Sequence, residues 1–279
     1  MGRNPKKLGD LLVKVDRANK LLIDFQSEFN RFFRPPYPFE IIPEDNSEKG
    51  ERTYYLRVHK RIPSEFAAFI GDIAHNLRST LDHLAWHLVK TSPVTPKADD
   101  RKIYFPIFED ASDYEKGKLR KIQGMTSAAI HAIDDIKPYG RLDKNNPIAG
   151  IGNLALYWLN HINIQDKHCL LIPAWAAAPA HSITKSRRAE WAESLQKAFG
   201  SETADVMVGS LIDSNTPLED GSKLCTLPIA DVDDDMKFRF QIAFGEPASV
   251  RGKEILSTLN NMHRTVKEIV LDFDSKGLL

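Results

Sequence analysis

The sequence predicts an α+β protein: a helical bundle of four to five long helices joined to a small, mostly antiparallel sheet. Three observations lead there. Apolar residues recur at three- and four-residue steps near both ends of the chain and over 63–90. Between the helical stretches, short runs alternate apolar and polar residues at strand period. No internal repeat and no low-complexity linker interrupts the 279 residues, so 1–279 reads as a single domain with one continuous core.

The elements follow in order. Leu8, Leu11, Leu12, Val15, Leu22, Phe25, Phe29 and Phe32 give a long amphipathic helix over 5–33. FRPPYPF ends it, because paired prolines cannot continue a helix and push their neighbours toward extended backbone. In TYYLRVH, within 52–60, Tyr54, Leu56 and Val58 alternate with Tyr55, Arg57 and His59, which predicts a strand. Pro63 suits the first turn of a helix over 63–90. SPVTPKADD is a loop by composition, and KIYFPIF a short extended piece. Helical patterning occupies 125–164 in two parts, one stopping before Pro138-Tyr139-Gly140 and one from Pro147 to Ile164. Within 168–245, CLLIPAW, KLCTLPIA and KFRFQIAF read as strands, with a polar helix around 186–199 and a turn at DVDDD. Val250, Ile255, Leu259, Met262, Val266, Ile269 and Phe273 place a closing helix over 249–275.

Composition removes several function classes. Thirty-eight basic residues balance thirty-eight acidic ones, so the chain lacks the global basic footprint of a nucleic-acid binder. Positive charge concentrates locally, with six Lys/Arg against two Asp in the first twenty residues and Arg52, Arg57, Lys60 and Arg61 close together. Two cysteines, Cys169 and Cys225, make neither a disulfide framework nor a zinc motif. No apolar run is long enough to span a membrane and no signal-peptide core is seen, so a cytoplasmic protein without membrane contact is expected. A Gly-rich phosphate loop, a GxSxG elbow and a paired-carboxylate signature are all missing, and no cofactor is expected.

The chemistry concentrates in GDIAHNLRSTLDHLAWHLV, residues 71–89. On a helical wheel with Asp72 at zero, Ile70, Ile73, Leu77, Leu81, Leu84, Ala85 and Leu88 fall between about 100° and 220°. The remaining face carries two strips: His75, Arg78 and Asp82 in one; Asp72, Asn76, Ser79, His83 and His87 in the other; Trp86 lies between them. An ordinary solvent face does not hold a Trp and three His, so this face meets protein, a second subunit or a ligand. A second unusual string, NHINIQDKHCL at 160–170, sets Asp166, Lys167 and His168 where a helix gives way to a strand. Buried Asp–His or Arg–Asp pairs that only tie helices together are the structural alternative for both strings.

Three kinds of chemistry fit these residues. A divalent metal would use His83 and His87 at i and i+4 with Asp166 and His168, assisted by Asp82 or Asp72, although HLAWH lacks the glutamate of HExxH. Metal-free phosphodiester cleavage would use an imidazole near neutral pKa and a cation for charge developing on phosphorus, which His83 and Arg78 supply. A binding or dimerisation module would use the polar face as a seam with Trp86 as anchor, toward a homodimer or another protein.

Arg78-Ser79-Thr80-Leu81-Asp82-His83 is an R-x4-H spacing that resembles the signature of HEPN-domain proteins, helical bundles that include metal-independent ribonucleases of toxin and phage-defence systems. The resemblance implies RNA as substrate and a homodimer with a composite site. It assigns phosphate stabilisation to Arg78 and acid/base work to His83, with His75 and Asp82 beside them. Ser79 stands where that family more often has Asn or Asp. On a regular helix Arg78 and His83 lie about 140° apart, so they would converge across a two-fold axis rather than within one chain. The chain also resembles an uncharacterised bacterial group that pairs a GDxxHNLRSxLDHL helix with a DKH string, here GDIAHNLRSTLDHL and NIQDKH. That resemblance implies one constellation of His75, Asn76, Arg78, Asp82, His83, Asp166 and His168.

Overall fold

The computed structural model describes residues 5–142, 150–169, 171, 173–178, 218–232 and 239–279. The fold is α+β: six helices with short strands among the described residues. Where the sequence reads as one continuous core, the described residues group into two compact units, one within Met1–Ser27, Ser64–Leu171 and Ile255–Leu279, the other within Glu28–Pro63 and Ile172–Glu254.

The first unit is the helical bundle. It holds most of α1 (Pro5–Phe32), then α2 (Glu65–Thr91), α3 (Ala111–Ile122), α4 (Ser127–Ile136), α5 (Leu154–Asp166) and α6 (Ile255–Ser275). The strands β3 (Phe108–Asp110) and β4 (Tyr139–Arg141) also belong to it. α2 is its axis, packing on α5 and α6. Its apolar stripe of Ile70, Ile73, Leu77, Leu81, Leu84 and Ala85 is fully enclosed. Each of its Ile and Leu side chains contributes about 1.5–3 kcal/mol on burial. From α6, Leu259, Met262, Val266, Val270 and Phe273 complete the core, and from α5 Leu159 and Ile162. Phe25 of α1 meets Phe66 of α2 edge to face at 5.1 Å.

Helix starts are set by local capping. Asn153 accepts from the Leu156 N–H at 3.2 Å, so α5 begins there and not at Pro147. Asp110 caps α3 by accepting from Asp113 N–H at 2.9 Å. α2 begins two residues after Pro63, which therefore precedes the helix instead of occupying its first turn. The 3₁₀ turn Asp100–Lys102 leads into an irregular stretch, and of KIYFPIF only Phe108 joins a strand. β3 and β4 pair in parallel, Phe108 opposite Tyr139 and Asp110 opposite Arg141.

The second unit carries the antiparallel pairs. β1 (Phe39–Asn46), β2 (Glu51–Val58) and β6 (Lys223–Pro228) form one sheet in the order β1-β2-β6, and β5 (Pro173–Ala178) pairs with β7 (Arg239–Phe244). Tyr54 and Leu56 of β2 point inward while Tyr55 and Arg57 are more exposed, as the alternation in TYYLRVH predicts. β1 is a strand that the sequence reading passes over, its FEIIPEDN interrupted by Pro43 and rich in acids. The polar helix expected around 186–199 lies outside the described residues. No described helix is long and apolar enough to cross a membrane.

Candidate functional site

The two polar strips of α2 face different neighbours, and that division organises the site. The first strip closes on the irregular segment before β3. Arg78 is only 6% exposed. Its Nη2 donates to the Phe105 carbonyl at 3.0 Å and its Nη1 lies 2.8 Å from Asp82 Oδ1. The same Asp82 oxygen accepts the Phe105 N–H at 2.9 Å. Arg78 and Asp82 thus clamp both backbone polar groups of one residue outside any helix or strand, whose carbonyl also accepts the Ile107 N–H at 3.0 Å. Burial raises the Asp82 carboxyl above the ordinary carboxylate range, opposed by Arg78, the Phe105 N–H, Lys167 and Lys121. Burial likewise lowers the Arg78 guanidinium, opposed by Asp82 and Tyr104.

Lower on the same helix, the two unusual strings meet. A Cβ at Gly71 would overlap the Asp166 carboxylate at the end of α5, so Gly71 is what lets this acid lie against α2. Asp166 is raised by burial and by the charge of Asp72, and His75 opposes that shift. His75 and Asp72 are exposed beside it, and Lys167 acts on Asp82. GD and DKH therefore do converge, through Gly71, Asp72, His75 and Asp166 at one level and Asp82 with Lys167 at another. His168 is exposed just past the end of α5, its N–H donating to the Gln165 carbonyl at 3.0 Å. Asn76 folds back on its own helix, its Nδ2 donating to the Asp72 carbonyl at 2.7 Å, and Thr80 in turn donates to the Asn76 carbonyl at 3.0 Å.

His83 and His87 of the second strip face α1. His83, Trp86 and His87 line a cleft of about 480 Å³ together with Lys7, Asp10 and Leu11. Trp86 is 44% exposed and is the one large hydrophobic residue of α2 that is. Lys90 lies 5.7 Å from its ring centroid. His87 Nε2 is buried with no hydrogen-bond partner among the described residues. Burial holds the His83 imidazole below its usual range, reinforced by Lys14 and opposed by Asp82. His87 is lowered by burial and by Lys7. Both rings are therefore neutral at neutral pH, each with a donor and an acceptor nitrogen.

This arrangement bears on two sequence expectations. Within one chain Arg78 and His83 stay apart, as their separation of about 140° on the wheel implies: the guanidinium is enclosed and committed to Asp82 and Phe105, while the imidazole opens toward α1. Nor is the set His83, His87, Asp166 and His168 assembled, for no group of three His, Cys, Asp or Glu among the described residues is spaced to hold a metal ion. The reason is angular. His83 and His87 look to α1, whereas Asp166 contacts α2 at Gly71, on another side of the helix.

A further constellation escapes sequence reasoning. Glu109 of β3 accepts from the Tyr157 hydroxyl at 2.9 and 3.0 Å and from Arg141 Nη2 of β4 at 3.0 Å. His161 Nε2 stands 3.5 Å from the same carboxylate, its ring 4.3 Å from that of Tyr157. A Cβ at Gly140 would meet the Tyr157 ring at 2.8 Å, so glycine is needed for that ring to sit on β4. The Tyr157–His161 spacing of four on α5 was the available signal. Glu109 and Arg141 join it only through the parallel β3/β4 pairing, which the sequence does not announce.

Compared with protein-family models, with curated proteins and with solved structures, the chain gave no match.

Proposed function

We propose that the protein is a cytoplasmic binding module whose contact surface is the cleft between α1 and α2, with Trp86 as its aromatic anchor. One observation carries this: the indole is 44% exposed at a cleft of about 480 Å³, on a helix whose other large apolar residues are turned inward. That volume lies in the range of roughly 300–1,000 Å³ typical of small-ligand sites. Exposed aromatic residues beside a concavity are the usual anchors of contact surfaces. On this reading the Arg78–Asp82 clamp and the Gly71–Asp166 contact are architecture that holds α2 in place. A fragment screen followed by NMR tests it. Hits should cluster on the Trp86 indole, His83 and His87 and vanish in Trp86→Ala; hits scattered elsewhere, or none, would overturn the reading.

A second reading is the endoribonuclease implied by the HEPN resemblance, acting on RNA as a homodimer. It is favoured by the exposure of His83, whose imidazole burial and Lys14 keep in the proton-accepting form near neutral pH. In this version Lys14 supplies the cation, since Arg78 is enclosed. Metal-free RNA cleavage that disappears in His83→Ala and falls in Lys14→Ala would support it. Cleavage that persists in His83→Ala would exclude it.

A further inference from the structure

We infer that the loop between α1 and β1 docks a short acidic segment of a partner protein, with Tyr37 as anchor and Arg34, Lys60 and Arg61 pairing with its carboxylates. The inference concerns the second unit and goes beyond the binding-module reading, which concerns the helical bundle. Tyr37 is 61% exposed, the most exposed aromatic side chain among the described residues. A single exposed aromatic is common on protein surfaces. This one is mounted rigidly. It stands between Pro36 and Pro38, whose rings fix their own φ. Lys60 Nζ donates to the Pro36 carbonyl at 2.6 Å, and the His59 and Lys60 N–H groups donate to the Pro38 carbonyl at 2.8 and 3.0 Å. A turn ordered before contact loses little freedom on binding, and tyrosine and arginine are the residues that most often carry binding energy.

Charge names the partner. Arg34, Arg57, Lys60 and Arg61 are exposed, and none has an ion-pair partner among the described residues. Two neighbouring acids are already engaged, Glu28 by Arg31 at 2.8 Å and Glu40 by His59 at 3.1 Å. That leaves Asp220, which accepts the Val58 N–H at 2.8 Å, against four cations. Guanidinium groups match carboxylates as a two-pronged fork, and the Tyr37 hydroxyl can donate to a further carboxylate. The other end of the β1–β2 hairpin has the opposite sign. Glu44, Glu48 and Glu51 outnumber Lys49 there, about 25 Å away along eight paired residues. A nucleic-acid strand or a lipid surface lying along the hairpin would set phosphates against those carboxylates. A short acidic segment meets the basic end alone.

Fluorescence anisotropy with the full chain tests this. The probe is a labelled glutamate-rich peptide with a central leucine, and the control is the same peptide with glutamine for glutamate. The acidic peptide should bind more tightly than its control, and its affinity should fall as salt rises. Tyr37→Ala should weaken it about tenfold or more, whereas Tyr37→Phe should retain most of the affinity. Arg34→Glu combined with Arg61→Glu should abolish binding. All three positions are exposed, so circular dichroism and melting of these variants should match the wild type. An acidic peptide that binds no better than its control, or equally well to Tyr37→Ala, overturns the inference. Phosphatidylserine vesicles or a single-stranded oligoribonucleotide bound more tightly than the peptide, with the same Tyr37 dependence, overturn the acidic segment as occupant. Self-association in sedimentation that the double variant removes does the same, and names a second copy of the chain instead.

Discussion

Replacing Arg78 separates an architectural guanidinium from a catalytic one. In the native protein it makes one charge-assisted bond to the Phe105 carbonyl at 3.0 Å and an ion pair with Asp82 at 2.8 Å. Its side chain is 8% exposed and that of Asp82 25%. Arg78→Ala leaves the Phe105 carbonyl with only the Ile107 N–H as partner and the Asp82 carboxylate partly buried without its cation. Removing one partner of a buried pair costs about 3–5 kcal/mol, and the residual exposure of Asp82 places this case near the lower figure. Asp82→Asn should cost a similar amount, about 3–5 kcal/mol, because its amide oxygen can still accept the Phe105 N–H but the more enclosed Arg78 loses its counter-ion. Arg78→Met with Asp82→Leu should recover part of the loss, since no uncompensated charge remains. Urea denaturation followed by tryptophan fluorescence gives the stability change, and amide exchange of the Phe105 N–H reports the clamp directly. Arg78→Ala should accelerate that exchange by loosening the Asp82 contact. A variant within about 0.5 kcal/mol of wild type, with Phe105 still protected, would refute the clamp. Lost RNA cleavage at unchanged stability would return Arg78 to the catalytic role that the R-x4-H spacing implies.

Other expected outcomes follow from the same contacts. Gly71→Ala gains helix propensity of about 1 kcal/mol but drives a methyl into the Asp166 carboxylate, so thermal unfolding should show a net loss of about 1–3 kcal/mol. Adding Asp166→Ala should restore stability, and failure to do so would place the strain elsewhere. Leu77→Ala, at a fully enclosed core position, should cost about 2–5 kcal/mol in the same melts. Acidification should lower the melting temperature. Burial depresses His83, His87, His161 and His263, so below about pH 6.5 the unfolded chain binds more protons than the folded one and stability falls. Asp82 and Asp166 act oppositely, because their raised carboxyls take up protons in the folded state first and soften the decline at lower pH. A melting temperature that is flat between pH 7.5 and 5.5 would contradict this balance, and His263→Gln should flatten the profile if its ring contributes as described.

The long helices are legible because their information is local. A stripe such as Ile70, Ile73, Leu77, Leu81 and Leu84 defines its helix wherever the rest of the chain goes, and α1, α2 and α6 lie close to where periodicity puts them. α3 is invisible to that method. Its twelve residues bury only Tyr114, Gly117 and Ile122, and Gly117 is tolerated because the Phe108 ring occupies the space of a side chain. β1 is hidden by Pro43 and its acids, and its pairing with β2 comes from a hairpin turn at 47–50 that carries no strong dipeptide signal. β3 and β4 are three residues each, too short to show a period, and their parallel pairing depends on how the intervening helices return the chain.

The candidate site divides along the same line between local and non-local information. The wheel of α2 separates Arg78 and Asp82 from His83 and His87, and the structure keeps them apart, one pair against Phe105 and the other at the α1 cleft. What the wheel cannot supply is the neighbour. Arg78 and Asp82 look catalytic while their partner is unknown and structural once the irregular backbone at Phe105 is seen there. The His83 strip shows the reverse, since two histidines at i and i+4 suggest a chelate until the third and fourth ligands prove to lie elsewhere. A polar helix face is thus assigned by what it meets. Where the meeting atoms are backbone N–H and C=O groups, the polar side chains complete the fold. Where they are absent, as around His87 Nε2, the unpaired group is the better guide to a ligand.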